Sequence, residues 1–202
     1  MRQIEGWRIS VVVMIALVVM ACALFVFQGD TEEALRSFIR GSARIALVLF
    51  LLAFVASSLH LLCNRPVTAW LLGNRRYMGV TFAMAHFTHL LAVVILGVYY
   101  PHPFLDDLSA FTVVTGGLAY LFVAAMAATS FTTTKRLIGR KKWTLLHTIG
   151  GYYVWIGFAQ SYLLRALEEI SYTPFALVIA IVLVLRVWRH RKMLKTASNK
   201  SA

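Results

Sequence analysis

Apolar runs close to the length of a bilayer crossing recur along this chain, and they leave few folds open to it. They cover residues 9–27, 45–62, 79–100, 111–130, 143–164 and 174–187. About 20 mostly apolar residues wound as a helix span the hydrocarbon core, where only a helix or a closed barrel satisfies its own backbone polar groups. The pattern predicts an all-α fold: a six-helix transmembrane bundle forming a single integral membrane domain, 1–202, with a basic tail at 188–202. Of the 202 residues, 60% are hydrophobic, more than a soluble domain of this length needs for its core. The first run has a competing reading as a signal peptide, because Ala21-Cys22-Ala23 puts small residues where a peptidase cuts. At 19 residues it outruns a signal core of roughly 7–15, and a retained helix is expected.

The connections carry the charge. Net charge is +12, which could serve nucleic acid or anionic lipid. Lys and Arg lie in short links between apolar runs and not on a polar domain, so lipid is the expected partner and nucleic acid is not. The uncompensated cations fall at the N-terminus, in 63–76, in 132–142 and in the tail, while 28–44, 101–110 and 165–172 are neutral or acidic. By the positive-inside rule both termini are then cytoplasmic, and a bacterial inner membrane is the expected location. Trp143, Trp155, Tyr99 and Tyr100 fall where an interfacial aromatic belt would place them. Cys22 and Cys63 fall in or at the end of apolar runs, and without clustered thiols nothing points to a disulfide framework or a zinc site. No GxGxxG or P-loop occurs, and no polar stretch is long enough to hold FAD or NAD(P).

Inside the apolar runs sit imidazoles that hydropathy alone does not explain. His86 and His89 lie in the third run, and His89 stands about 20 Å beyond Arg75 and Arg76 at ~1.5 Å of rise per residue. An ionisable group at that depth costs roughly 2.5 kcal/mol or more and points to function. His60 closes the second run and His147 opens the fifth, both near the cytoplasmic face. His102 is at the outer surface and His190 is in the tail. An iron porphyrin between helices needs imidazoles, small residues where the ring approaches, and apolar surroundings. Gly150 and Gly151 follow His147 by one turn; Gly79, Ala83 and Ala85 precede His86 and His89. The plainer alternative is packing, with Thr88, Ser57 or Ser58 as hydrogen-bond partners, and His86 and His60 fit it as well as they fit a haem. A bare metal ion lacks a buried carboxylate to accompany the imidazoles. His102 with Asp106 and Asp107 could hold a ferric ion outside or form a solvated loop.

Residues 40–170 resemble the ferric reductase-like transmembrane domain superfamily. That group includes the membrane domains of ferric reductases and NADPH oxidases and the haem-binding membrane subunit of the methionine sulfoxide reductase system. The resemblance rests on RRYMG with a histidine ten residues past its glycine (Gly79 to His89), on TSFTTTKRLIGRKKWTLLH ending at His147, and on the six-span plan. It implies haem b, one or two per chain, with two histidines thirteen residues apart on the fifth span. Here the first is His147 and the second position holds Gln160. The family's third-span pair falls on Arg75 and His89. Gln160 is a poor iron ligand, so the resemblance leaves a haem at His89 five-coordinate, absent, or sharing His86. His147 could pair with His60 or sit near Arg75. Arg75, Arg76 and Lys142 are candidate propionate partners.

The expected function is a haem-b membrane protein carrying single electrons across the bilayer, an oxidoreductase subunit without a flavin domain of its own. A separate donor, flavoprotein or quinol, would serve the His147 side, and an external acceptor the His89 side. The alternative is a cofactor-free scaffold or small transporter on the same fold, with the histidines packing or relaying protons.

Overall fold

The computed structural model describes residues 5–104 and 109–201, and every regular element in them is helical. The first helix, α1 (Trp7–Phe27), starts after Gly6, whose φ of 62° is backbone that a side chain would resist. Helix α2 (Thr31–Leu62) begins fourteen residues before the apolar run it contains. The Asp30 carboxylate caps it by accepting from the Glu32 amide at 2.8 Å, and Arg36 and Arg40 pair with Glu32 and Glu33 at 2.7 Å. A cap and short-range ion pairs extend a helix through polar sequence at little cost. Hydropathy therefore marks only the buried part of α2 and reads its outer end as a link.

The same reason moves the start of α3 (Pro66–Tyr99). Pro66 has no N–H to lose at the first helical position, and Thr68 Oγ1 accepts from the Arg65 amide at 3.1 Å. Arg75 and Arg76 accordingly lie on the third turn of a helix, and not in the connection where the sequence puts them. A short turn, α4 (Pro101–Phe104), follows with His102 non-helical and exposed. Asp106 and Asp107, proposed with it as an outer ferric site, lie outside the described residues. Helix α5 (Ala110–Ala128) is capped by Ser109, and α6 (Thr132–Ile138) is a single short piece ended by Gly139 at φ 78°. Then come α7 (Arg140–Glu168), a 3₁₀ turn at Ile170–Tyr172, and α8 (Thr173–Ser201).

Among the described residues, five helices are long and apolar enough to cross a membrane: α1, α2, α3, α5 and the stretch Ile170–Leu194. Helix α7, the expected crossing at 143–164, has 29 residues but is not among them. His147, Gln160, Tyr152, Tyr153 and three glycines dilute its apolar content. Helix α2 lies at the centre and packs on α1, α3 and α8, while α7 packs on α5 and α8. Half of the apolar window of α2 is buried, against 6% for α5, so α5 sits at the periphery of the bundle and packs chiefly on α7. Helix α1 is fixed to α3 by two polar contacts. Ser10 and Thr81 share a buried hydrogen bond of 2.7 Å, and the Gly6 amide donates to Asn74 Oδ1 at 2.9 Å.

A candidate haem cavity at one end of the bundle

Helices α2 and α3 pack closely on each other, as do α5 and α7, and a cavity of about 500 Å³ opens between the two pairs. Phe50, Phe54, Arg75, Gly79 and Phe82 come from the first pair, and Val123, Met126, His147 and Gly151 from the second. Lys135 of α6 and Arg76 complete its polar end. Among the described residues, no carboxylate lines it. Gly73 and Gly79 open onto empty space, since a Cβ added at either would meet nothing within 4 Å. Gly151 has a different part, because a Cβ there would come to 3.3 Å of the Phe54 ring.

Arg75 reaches across to α2, donating from Nε to the Ala53 carbonyl at 2.9 Å and from Nη1 to Ser57 Oγ at 3.2 Å. Arg186 of α8 donates to the very next carbonyl, Phe54, at 2.8 Å, with its guanidinium 3.9 Å from the Phe54 ring centre. The ion pairs among the described residues are Arg36–Glu32 and Arg40–Glu33, so both of these partly buried cations rest on neutral dipoles. Lys135 lies 4.2 Å above the Trp143 ring, and Arg76 lies over Tyr77 and Phe131. Such a collection of donors without acceptors is suited to an anionic ligand.

His147 is held on this wall by its neighbours. Its Nε2 is 3.2 Å from Thr129 Oγ1, and its ring lies 4.4 Å from that of Trp143, whose Nε1 donates to the Thr129 carbonyl at 3.0 Å. The charges of Arg75 and Lys135 both reach it.

His86 and His89 form a second, separate group. Their rings are parallel within 5° at 5.7 Å, and Tyr120 covers His86 at 4.5 Å. His89 Nδ1 lies 3.1 Å from the Ile39 carbonyl. A carbonyl only accepts, so this nitrogen carries the proton and Nε2 the lone pair. His86 Nδ1 is buried and has no hydrogen-bond partner among the described residues. Phe82 and Phe158 stack against the His86 ring. His60 Nδ1 lies 3.4 Å from Thr68 Oγ1 at the α2–α3 connection, and Gln160 is exposed.

The fold thus brings His147, Arg75 and Arg76 into one cavity, sets His86 beside His89 elsewhere, and leaves His60 and Gln160 outside both groups. Sequence reasoning missed Lys135 and Arg186. Lys135 was one of several loop cations with a topological role, but an arginine closing an apolar run, as Arg186 does, was a legible signal.

No protein-family model matches this chain, and no solved structure does. Over 93 residues it is 30% identical to the protein-methionine-sulfoxide reductase heme-binding subunit MsrQ of Polaromonas naphthalenivorans (strain CJ2). The match covers 45% of this chain and 42% of that protein, so the aligned part is less than half of either. The resemblance to the ferric reductase-like membrane proteins holds. The cavity also passes the physical test for a haem. Its volume falls within the ~300–1,000 Å³ of small-molecule and cofactor sites, its wall carries an imidazole, two glycines leave room, and its cations meet no acid.

Proposed function

We propose that this chain is a haem-b electron carrier of the membrane, with one haem held in the cavity at His147. The observation that carries the reading is the conjunction of imidazole, open glycine surface and uncompensated cations around one space. His147 would supply the iron ligand, and Arg76 and Lys135 the charges for the two propionates. Thr129 and Trp143 orient the imidazole, which keeps its ring from turning into the helix interface. Phe50, Phe54 and Phe82 exclude water from the apolar end, which strengthens every charge interaction there. When bound, the haem supplies a reversible one-electron couple, tuned by its axial ligand and by burial.

The outer half supports a single haem. The position thirteen residues past His147 is Gln160, which is exposed, and Phe158 and Tyr162 of the same turns are buried in the aromatic core. His86 and His89 would act there as packed side chains, with only His89, among the described residues, hydrogen-bonded through its ring, to the Ile39 carbonyl. A cytoplasmic flavoprotein or quinol would donate at the basic end, where Arg76, Lys135 and neighbouring cations would draw an acidic docking surface. An external acceptor would take the electron from the far face.

The test is an absorption spectrum of the full chain purified in detergent after expression with ample porphyrin. A Soret band present in the natural chain and absent from His147→Ala, with helix content unchanged by circular dichroism, is expected. A colourless protein, or a band that survives His147→Ala, overturns the reading.

A further inference from the structure

The wall facing His147 determines what else the site can do. Helices α2 and α3 contribute Phe50, Ala53, Phe54, Leu72, Arg75 and Phe82 to it, together with the open surfaces of Gly73 and Gly79. None of these is an imidazole, thiolate or thioether, the side chains that ligate haem iron strongly. The cavity does hold a thioether, Met126, but on the same side as His147. A Cβ at Gly150 would lie 3.0 Å from its sulfur, so Met126 is wedged between α5 and α7. Arg75 and Arg76 are the charged groups that α3 adds to the lining, and Arg75 is fixed on the facing wall by the Ala53 carbonyl and Ser57. Gly79 is one helical turn beyond Arg75, on the same face of α3, and adjoins free space.

We propose that Arg75 and Gly79 border an open coordination position, so that the haem held by His147 has one protein ligand and takes a small exogenous anion at the other face. This rests on the haem reading above and adds a ligand site to it. Arg75 supplies the charge and directed N–H donors for a ligand of one to three atoms. Gly79 supplies the room. The absence of any carboxylate from the lining sets the preference for an anion. The residue acts by positioning the guest and by leaving iron unligated on its side; it is not itself a strong ligand.

The experiment titrates the ferric full chain in detergent with cyanide, read by the Soret position and by electron paramagnetic resonance. The natural chain is expected to be high-spin and to turn low-spin on saturable cyanide binding. Arg75→His places an imidazole on the facing wall and is expected to be low-spin from the start and refractory to cyanide. Gly79→Leu fills the free space, and in the protein that retains a Soret band it should weaken cyanide by roughly tenfold or more. If Arg75→His does not fold, the titration of the natural chain and Gly79→Leu decide the matter. A haem that is low-spin with two protein ligands in the natural chain, or cyanide binding indifferent to Gly79→Leu, overturns the open position and leaves the haem assignment standing. A colourless protein overturns both, and the two failures are told apart by the presence of the Soret band.

Discussion

At the scale of single residues, the histidines of this chain look alike in sequence and differ in what surrounds them. His89 lies outside the cavity, with its Nδ1–H on the Ile39 carbonyl, whereas His147 lines the cavity. His89→Ala should therefore keep the haem spectrum while losing one buried hydrogen bond, at about 1 kcal/mol. A lower thermal midpoint in detergent with an unchanged Soret band is the expected result. Arg186 offers a second contrast. Its planar guanidinium both donates to the Phe54 carbonyl and lies over the Phe54 ring at 3.9 Å, and a lysine can do the first but stacks poorly. Arg186→Lys should recover part of the stability that Arg186→Leu loses. Removing both contacts costs on the order of 2 kcal/mol, measured as the shift in thermal midpoint relative to the natural chain. Equal midpoints for the two variants would mean that ring stacking decides the whole effect.

At the scale of elements, helix identity was legible and helix extent was not. Apolar runs located all the long helices, because burial and lipid exposure both require apolar surface. The ends escaped because Asp30 with its glutamate–arginine pairs, and Pro66 with Thr68, continue helices through polar sequence that hydropathy discards. The cavity escaped for another reason. Sequence spacing placed Gly79, Gly150 and Gly151 near histidines, yet only the packing tells which glycine faces a void and which seats a neighbour. Gly79 faces a void; Gly150 seats Met126 and Phe122, with an added Cβ at 3.0 and 3.1 Å. The α5–α7 contact should consequently be sensitive to Gly150→Val, with a loss of about 1–3 kcal/mol from overpacking. Gly41→Ala meets only the flexible end of Met20, which can move aside at less cost. Comparing the thermal midpoints of these two variants checks the distinction, and a larger fall for Gly41→Ala would contradict it.

At the scale of the molecule, the placement of α7 bears on how many times the chain would cross. Trp7, near the start of the chain, stacks on Phe131 at 6.1 Å beside α6 and meets Tyr77 at 5.3 Å. Arg186 of α8 reaches Phe54 on the wall of the cavity that Arg75 and Lys135 also line. The beginning of the chain, the basic α6 segment and the late part of α8 therefore gather at one end of the bundle. Helix α7 leaves that end at His147 and finishes near Tyr172, whose ring Arg165 covers at 5.6 Å together with Arg44 from α2. If α7 crosses together with the five more apolar helices, Trp7 and Arg186 fall at the same end of the bundle, as the structure has them. The glycines of α7, His147 and Gln160 weaken its hydropathy, which a helix with protein on two sides and a ligand cavity on another can tolerate. The positive-inside rule would put that end, with its cations, in the cytoplasm. A phosphatase active only outside the cytoplasm should be silent when fused after residue 202 and active when inserted between Gln28 and Asp30, with a cytoplasmic reporter giving the opposite pattern. Activity of the phosphatase at both places would mean an odd number of passages, returning α7 to the surface and opening the cavity wall that carries His147.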